Sequence, residues 1–359
     1  MLSEGIKFII FSLEITLQGE HARFTITLFI RYNDRPNKKV NGFGVKVHFL
    51  GTSSGSPSKQ RNMSAVAVSF ENSKAWVLID CAEATQHALL HSELTLYHLE
   101  AICITHLHGD HCYGLPGLIS SMALNSRKAP LKLIAPRAVI QFVQSCFTLT
   151  EVRLSFDLIT IALEEINEKL PLECCDIETI ALQHRVPSVG YKLTEKCIPR
   201  KLRIAKLQQD GIASGGHYNL LQKGQDVQYQ GQWLQSDDYS FYSWQPRVAI
   251  ICGDNEKPAL LSQAIQGVDL LVHEATFTAS DLHRVGFHTG HSDAKRVAQF
   301  AQTHQVPMLA LTHFSVRYHG EGMLQPLVEE AAFNYGGKLI IAQDGLVVDI
   351  PKQKQIEGS

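Results

Sequence analysis

Thr-His-Leu-His-Gly-Asp-His, residues 105–111, directly follows a short apolar stretch that is typical of a buried strand. In a turning loop, residues two apart can point the same way, so His106 and His108 can share one metal ion. Asp110 and His111 come from the next turn and can reach a second ion nearby. Imidazole and carboxylate are ligands that zinc accepts, and Gly109 allows a tight backbone between the two groups. The stretch therefore predicts a metal site.

Two ions need further ligands, and three residues at the ends of apolar runs can supply them: His184, Asp254 and His313. Each follows a predicted strand, and open α/β sheets place their chemistry at the carboxyl ends of their strands. The predicted ligands of one zinc ion are His106, His108 and His184. Those of the other are Asp110, His111 and His313, with Asp254 predicted to bridge the two ions.

The pattern around these residues predicts an α/β fold. From Val45 onward, short apolar runs typical of strands alternate with helical patterns, in two successive halves. Most of the runs are continuously apolar, as expected for sheets that helices cover on the outer face. Two such halves predict an αββα sandwich over residues 45–350. Residues 1–44 are an extension of uncertain role with strand-like alternation, and residues 351–359 form a polar tail.

The amino-acid composition and net charge limit which classes of protein the chain can belong to. The chain has 359 residues, is 45% hydrophobic and 19% charged, and carries a net charge of −2. A nucleic-acid substrate would therefore have to be bound by a local basic patch or by metal. The apolar run at residues 8–17 is too short for a bilayer and contains Glu14, so no membrane span is expected. Eight scattered cysteines without a C-x-x-C pair predict reduced thiols and a cytoplasmic location.

A long polar segment, residues 194–245, interrupts the second half and shows no pattern typical of a core. Between Lys192 and Lys206 the chain carries six basic side chains and one acidic one, Glu195. Loops of this length inside a domain are usually functional or disordered. Two interpretations stay open: a solvated insertion, or an inserted arm at about 194–226 that binds an anionic partner.

The metal motif resembles that of the metallo-β-lactamase superfamily, and finer marks resemble the short form of the tRNase Z family. Pro-Ser-Lys-Gln-Arg-Asn at 57–62 is similar to that family's P-x-K-x-R-N loop. Its HEAT motif has a counterpart at 273–277, its H-[ST] element at 290–292, and its HxSxRY run at 313–320. Two positions depart from the family pattern. The arm's usual Gly-Pro pair is missing from residues 213–219, and Asn255 replaces the threonine after the aspartate.

The resemblance implies a binuclear zinc hydrolase of the metallo-β-lactamase fold with an inserted arm. It implies an endoribonuclease that removes the 3′ trailer from precursor tRNA and acts as a homodimer, leaving a 3′-hydroxyl on the tRNA and a 5′-phosphate on the trailer. It also implies contacts to RNA; the alternative for the loop residues is a solvated turn. The candidate substrate-binding residues are Lys59, Arg61 and Asn62 in the loop, and Lys196, Arg200, Lys201 and Arg203 in the arm.

Three residues are candidates for the catalytic steps. Asp110 is expected to orient the attacking water and to accept its proton, a role that the resemblance also implies. An alkoxide leaves poorly without a proton donor, and His291, oriented by Glu274, is the candidate donor. In the alternative, His291 stays neutral and only hydrogen-bonds the phosphate. The neighbouring His273 is either functional or a packed structural histidine.

Two other functions remain open at this point. The first is a small-molecule hydrolase on the same fold, such as a phosphodiesterase, because the zinc pair does not distinguish substrates. The second is a non-catalytic RNA-binding protein with a decayed site, which the complete set of predicted ligands disfavours.

Overall fold

Strands and helices alternate along the computed structural model, which describes residues 9–17, 20–28 and 44–353. The strands are β1 (Ile9–Leu17), β2 (Glu20–Leu28), β3 (Val45–Gly51), β4 (Ala65–Ser69), β5 (Trp76–Ile79), β6 (Leu99–Cys103), β7 (Leu131–Ala135), β8 (Leu158–Ala162), β9 (Leu170–Pro171), β10 (Cys175–Leu182), β11 (Ser188–Glu195), β12 (Arg200–Leu202), β13 (Val227–Tyr229), β14 (Gln232–Leu234), β15 (Ser240–Tyr242), β16 (Val248–Cys252), β17 (Leu270–Glu274), β18 (Met308–Thr312), β19 (Lys338–Ile341) and β20 (Val347–Ile350).

The helices lie between these strands. They are α1 (Thr85–Leu90), α2 (Gly109–Cys112), α3 (Leu115–Leu124), α4 (Arg137–Leu149), α5 (Ile204–Gln209), α6 (Gly216–Gln222), α7 (Ser236–Tyr239), α8 (Ala279–Val285), α9 (Ala294–Thr303) and α10 (Gln325–Asn334). Short 3₁₀ turns connect several of them.

Two large sheets form the centre of the fold. The first has the order β20-β3-β4-β5-β6-β7-β8, and the second has the order β19-β18-β17-β16-β11-β10-β9. In the first sheet β5 to β8 run parallel, and in the second β16 to β19 run parallel. The carboxyl ends of these parallel strands therefore lie along one edge of each sheet, where the predicted metal ligands follow.

Three apolar clusters make the layers. Side chains of both sheets pack against each other in the middle, for example Phe49 of β3 and Tyr191 of β11. The outer face of the first sheet packs on α3 and α4, and the outer face of the second packs on α9 and α10. This layering confirms the predicted αββα sandwich.

The segment between β11 and β16 is folded around a small core, although its sequence shows no pattern typical of one. Strands β12 and β15 pair antiparallel as a stem, and β13 and β14 form a hairpin beyond it. Four side chains are buried between these elements: Leu207, Ile212, Leu221 and Leu234. These apolar residues come from separate short elements, so no helical or strand period reveals them in the sequence. We call residues 196–247 the arm.

The two ends of the chain can be described in part. Of the extension predicted at 1–44, the backbones of β1 and β2 form an antiparallel pair, and residues 1–8, 18–19 and 29–43 lie outside the described residues. Of the predicted tail, residues 354–359 do so too. Among the helices described, none has the length and apolar character that crossing a bilayer requires.

Candidate metal centre

The structure brings the seven predicted ligands together at the edge where the two sheets meet. Four of them lie in the loop and short helix after β6 of the first sheet: His106, His108, Asp110 and His111. The other three follow β10, β16 and β18 of the second sheet: His184, Asp254 and His313. Neither sheet alone contains the whole cluster.

The first histidine group is centred on His108. Its Nδ1 atom lies 3.1 Å from Nε2 of His106 and 3.1 Å from Nε2 of His184. The three nitrogens face one common position, His108 with Nδ1 and the other two histidines with Nε2.

The second group contains two histidines and one carboxylate. Nε2 of His111 lies 3.3 Å from Nε2 of His313. The Oδ2 atom of Asp110 lies 3.7 Å from the first of these nitrogens and 3.6 Å from the second.

Asp254 joins the two groups, with one carboxylate oxygen on each. Its Oδ2 atom lies 3.7 Å from Nε2 of His106 and 3.6 Å from Nε2 of His184. Its Oδ1 atom lies 3.5 Å from Nε2 of His111 and 3.3 Å from Nε2 of His313. Asp254 is buried, and Oδ1 has no hydrogen-bond partner among the described residues. A buried carboxylate oxygen without a donor requires a positive partner, because leaving it unpaired is costly.

These spacings fit zinc. Ligand atoms about 2.0–2.1 Å from a tetrahedral zinc ion lie roughly 3.3–3.4 Å from one another. The nitrogen–nitrogen and nitrogen–oxygen distances of both groups, 3.1 to 3.7 Å, bracket that value. Several of the closest pairs join two ring nitrogens that point at one location, as ligands of a shared cation do.

The charges at the site also fit a cation. Burial lowers the pKa of His106 well below its ordinary value, which keeps the ring in the neutral form that binds metal. Burial also lowers the pKa of His111, but the negative charges of Asp80 and Asp254 outweigh burial and raise the pKa of His111 to about 10. Burial opposes the charge of Asp254, yet His313 and His111 lower its pKa well below the usual range. The carboxylates therefore demand positive charge, which a metal ion can supply in place of the proton.

Outer contacts fix the ring orientations at four of the five histidines. Nδ1 of His106 lies 3.0 Å from Oγ1 of Thr105, and Nδ1 of His184 lies 2.7 Å from the carbonyl oxygen of Gly290. Nδ1 of His313 lies 3.1 Å from Oγ1 of Thr276. Partners on the far ring nitrogen set the tautomer and the aim of a metal-binding histidine.

Asp80 is the fourth such partner, and the sequence interpretation missed it. Its Oδ2 atom lies 2.6 Å from Nδ1 of His111, and the same carboxylate accepts hydrogen bonds from the backbone and the hydroxyl of Thr105. Asp80 is buried at the end of β5, beside the strand that carries the metal loop. A carboxylate that ends an apolar strand is the same signal that identified Asp254, and it could have been used here.

Glu274 and His291, the candidate positioning residue and proton donor, lie beside the cluster. Nδ1 of His291 is 3.1 Å from Oε1 of Glu274 and 3.8 Å from Oδ2 of Asp254. Glu274 is buried, and its carboxylate also accepts hydrogen bonds from the backbones of Asn255, Ser292 and Thr276. Burial alone would lower the pKa of His291, but Glu274 and Asp254 raise it to about 9. Both carboxylates therefore favour the protonated form of the ring.

His273 is a packed structural residue. Its ring is fully buried, with Nδ1 2.7 Å from the carbonyl oxygen of Glu274 and Nε2 2.9 Å from the side-chain amide of Asn255. Asn255 therefore has a structural task at the position where the family pattern has threonine.

In the loop at 52–62, the three predicted RNA-binding residues differ from one another in exposure and contacts. Lys59 is exposed, whereas the guanidinium of Arg61 is buried and donates to Oγ1 of Thr52 and to the carbonyl oxygen of Ala342. Arg61 therefore anchors the loop, and the structure does not support the expectation that it contacts RNA. Asn62 also holds the loop, since its carbonyl oxygen accepts from the backbones of Thr52 and Ser53. The backbone N–H of Gly55 donates to Asp110 over 2.8 Å and ties the loop to the metal centre.

The four basic residues predicted to bind RNA in the arm also differ from one another. Lys201 is exposed. The side chain of Arg200 is only 10% exposed, and it pairs with Asp237 and packs on the Tyr242 ring. The other two also make contacts within the protein: Lys196 donates to the carbonyl oxygen of Leu172, and Arg203 lies over a phenylalanine ring.

Comparisons with known proteins agree with this arrangement. The family model described as anti-Pycsar protein Apyc1 matches residues 45–151. Ribonuclease Z of Pseudomonas putida is 45% identical over 300 residues, covering 82% of this chain and 94% of the relative. Ribonuclease Z of Marinobacter nauticus is 40% identical over 301 residues, covering 82% and 93%. The crystal structure of the human short-form tRNase Z superposes with a TM-score of 0.59 at 26% identity, covering 85% of this chain and 99% of that one.

Two helix-covered sheets that hold a histidine–aspartate cluster between them define a metal-binding hydrolase of the metallo-β-lactamase fold. The identity with curated relatives extends over nearly their whole length. The chain belongs to the ribonuclease Z family.

Proposed function

We propose that the chain is a zinc-dependent endoribonuclease that cuts precursor tRNA after the discriminator nucleotide and releases the 3′ trailer. The tRNA 3′-processing activity follows from membership of the ribonuclease Z family. The products would be a tRNA with a 3′-hydroxyl and a trailer with a 5′-phosphate. The observation that carries the chemistry is the buried Asp254, whose two oxygens face two separate histidine groups.

The proposed cofactor is two zinc ions per subunit. His106, His108 and His184 would hold one of them, Asp110, His111 and His313 would hold the other, and Asp254 would contact both. When bound, the ions supply a water-derived nucleophile at neutral pH and stabilise negative charge on the phosphate oxygens.

Asp110 is the proposed proton acceptor for the attacking water. Its Oδ2 atom faces the second histidine group and is held by the backbone N–H of Gly55 at 2.8 Å. Nearby positive charge from His313 and His111 outweighs the effect of burial and lowers the pKa of Asp110 below its usual range. The carboxylate therefore stays ionised, as a group that orients water and takes its proton must be.

His291 is the proposed proton donor to the leaving 3′-oxygen. Glu274 holds its Nδ1 side at 3.1 Å, which leaves Nε2 available to the substrate. A cation on Asp254 would weaken one of the two interactions that keep the ring protonated, but the contact with Glu274 would remain. We infer that Glu274 positions His291 and preserves its proton until the leaving group needs it.

Contacts to the RNA are proposed for the exposed lysines, Lys59 beside the metal centre and Lys201 on the arm. Phosphate contacts of this kind bind folded RNA by shape and position rather than by sequence.

We further propose a homodimer. Leu107 within the metal loop and Tyr113 just after it have exposed apolar side chains, which support a second copy near the site. The cytoplasm is the proposed location, as expected where precursor tRNA is made.

A 3′-extended precursor tRNA tests the proposal directly. The purified protein should cut it once, after the discriminator nucleotide, and mapping of both product ends should give a 3′-hydroxyl and a 5′-phosphate. His108→Ala should remove this activity and lower the zinc content from about two ions per chain, the number of a two-metal site. Zinc analysis that finds no metal on the active wild-type protein, or a cut elsewhere in the tRNA, would contradict the proposal.

A further inference from the structure

A buried ionic cluster lies where the arm leaves the body and returns to it. The arm begins after Glu195, the last residue of β11, and ends before Val248, the first residue of β16. At this point Arg247 lies between two carboxylates. Its Nη2 atom is 2.5 Å from Oε1 of Glu195 and 2.9 Å from Oε2 of Glu71, and its Nε atom is 2.9 Å from Oε2 of Glu195. The side chains of all three residues are less than 5% exposed.

Two further side chains extend this cluster. The indole N–H of Trp244 donates to Oε2 of Glu195 over 3.2 Å. Lys352 donates to Oε1 of Glu71 over 2.5 Å, and its Nζ atom lies 3.9 Å from the centre of the Trp244 ring. We call these five residues the arm-root clamp: Glu71, Glu195, Trp244, Arg247 and Lys352.

The clamp joins three parts of the chain that are far apart in sequence. Glu195, Trp244 and Arg247 belong to the two ends of the arm, whereas Glu71 follows β4 and Lys352 follows β20, both in the first sheet. The second sheet, which carries the arm, is thereby tied to the sheet that carries the loop at 105–111.

Buried ion pairs contribute little net stability compared with well-packed apolar side chains, because desolvating the charges offsets their attraction. What a fully hydrogen-bonded charged cluster can give is one defined geometry. We propose that the arm-root clamp positions the arm so that one precursor tRNA contacts the arm and the metal centre together. Its members are positioning residues, and the inference rests on the proposed function.

The expected effect is on substrate binding. A substrate that needs both contacts binds only the fraction of molecules whose arm has the correct angle, so its apparent affinity falls with that fraction. A small phosphodiester needs the metal centre alone. Loosening the clamp should therefore raise KM for precursor tRNA and leave kcat, and all kinetics on a small diester, unchanged.

Lys352→Met is the test variant, because Arg247 still pairs with Glu71 and Glu195 when Lys352 is lost. If the competent fraction falls to about a tenth, KM for precursor tRNA rises about tenfold, while kcat and hydrolysis of bis(p-nitrophenyl) phosphate stay the same. Lys352→Arg, which keeps the charge and the contact with the ring, should restore most of the loss. Lys132→Met is the matched control: its side chain is 32% exposed against 34% for Lys352, and it also pairs with a carboxylate, Glu100.

Hydrogen exchange of the same variants separates this inference from the proposed function. Amides of residues 196–198, 243–245 and 247 should exchange faster in Lys352→Met than in Lys132→Met, with residues 105–111 unchanged. The clamp is refuted if arm exchange and KM both stay at wild-type values, or if activity on both substrates falls together. Faster arm exchange in a protein that does not cut precursor tRNA would support the clamp and refute the proposed function.

Discussion

The metal centre and the arm differ in what holds them in place. The ligands lie at the ends of strands in two large sheets, and neighbours such as Asp80 and Thr276 fix the outer nitrogens of their histidines. The arm packs around a small core of its own, and the arm-root clamp ties it to the body. Under the proposed function, chemistry takes place between the two sheets and recognition involves the separately packed arm. We therefore expect that each region can be changed while the other keeps its role.

Excision of the arm should have the largest selective effect on precursor tRNA. The backbone N–H of Ser243 donates to the carbonyl oxygen of Pro199 over 2.9 Å, so a two-residue glycine linker can replace 200–242. Losing a linked second contact typically weakens binding by about 10²–10⁴-fold. We expect kcat/KM for precursor tRNA to fall by at least about 100-fold, with hydrolysis of bis(p-nitrophenyl) phosphate unchanged.

The outcome also shows what the arm contributes. If the shortened protein processes precursor tRNA as well as the wild type does, the arm has no part in recognition. If both substrates are lost, the arm supports the fold of the metal centre, and the division between the two regions is wrong.

Asp80→Asn should weaken the metal centre and therefore lower activity on both precursor tRNA and the small diester. The amide cannot replace the carboxylate beside His111 and Thr105, and loss of such an outer contact typically lowers metal affinity or activity by about 10–100-fold. Kinetics on both substrates, with and without added zinc, measure the effect. Glu100→Gln is the control, because that carboxylate lies at the opposite end of β6 and accepts from a backbone N–H. An effect on precursor tRNA alone would be inconsistent with this role.

Lys201→Ala should give the smallest change in precursor tRNA binding among these variants. Removing one phosphate contact should weaken binding of precursor tRNA a few-fold and reduce the slope of log affinity against log salt by about 1. Binding measured at several salt concentrations tests this, with Lys128→Ala as the control for an exposed lysine outside the arm. Equal slopes in the two variants would place Lys201 outside the RNA contact.

The sequence predicted the layers and the convergence of the ligands because both depend on strong local signals. A continuously apolar run indicates a buried strand, and a polar residue just after it indicates the edge of the sheet, as at Asp254. The arm core was missed because Leu207 and Leu221 belong to short elements that lack a period. Arg61 was misplaced because a motif does not show which side of a loop a guanidinium faces. The clamp joins Glu71, Glu195 and Lys352, and no local pattern reports contacts between such distant segments.

The division of ligands between the sheets also has a consequence during translation. His106 is synthesised early, but His313 lies some 200 residues later, and β20, which completes the first sheet by pairing with β3, comes after both. A growing polypeptide therefore cannot bring the seven ligands together before His313 has been synthesised. We expect shorter nascent chains, emerging from a ribosome in a cell full of RNA, to be inactive as nucleases.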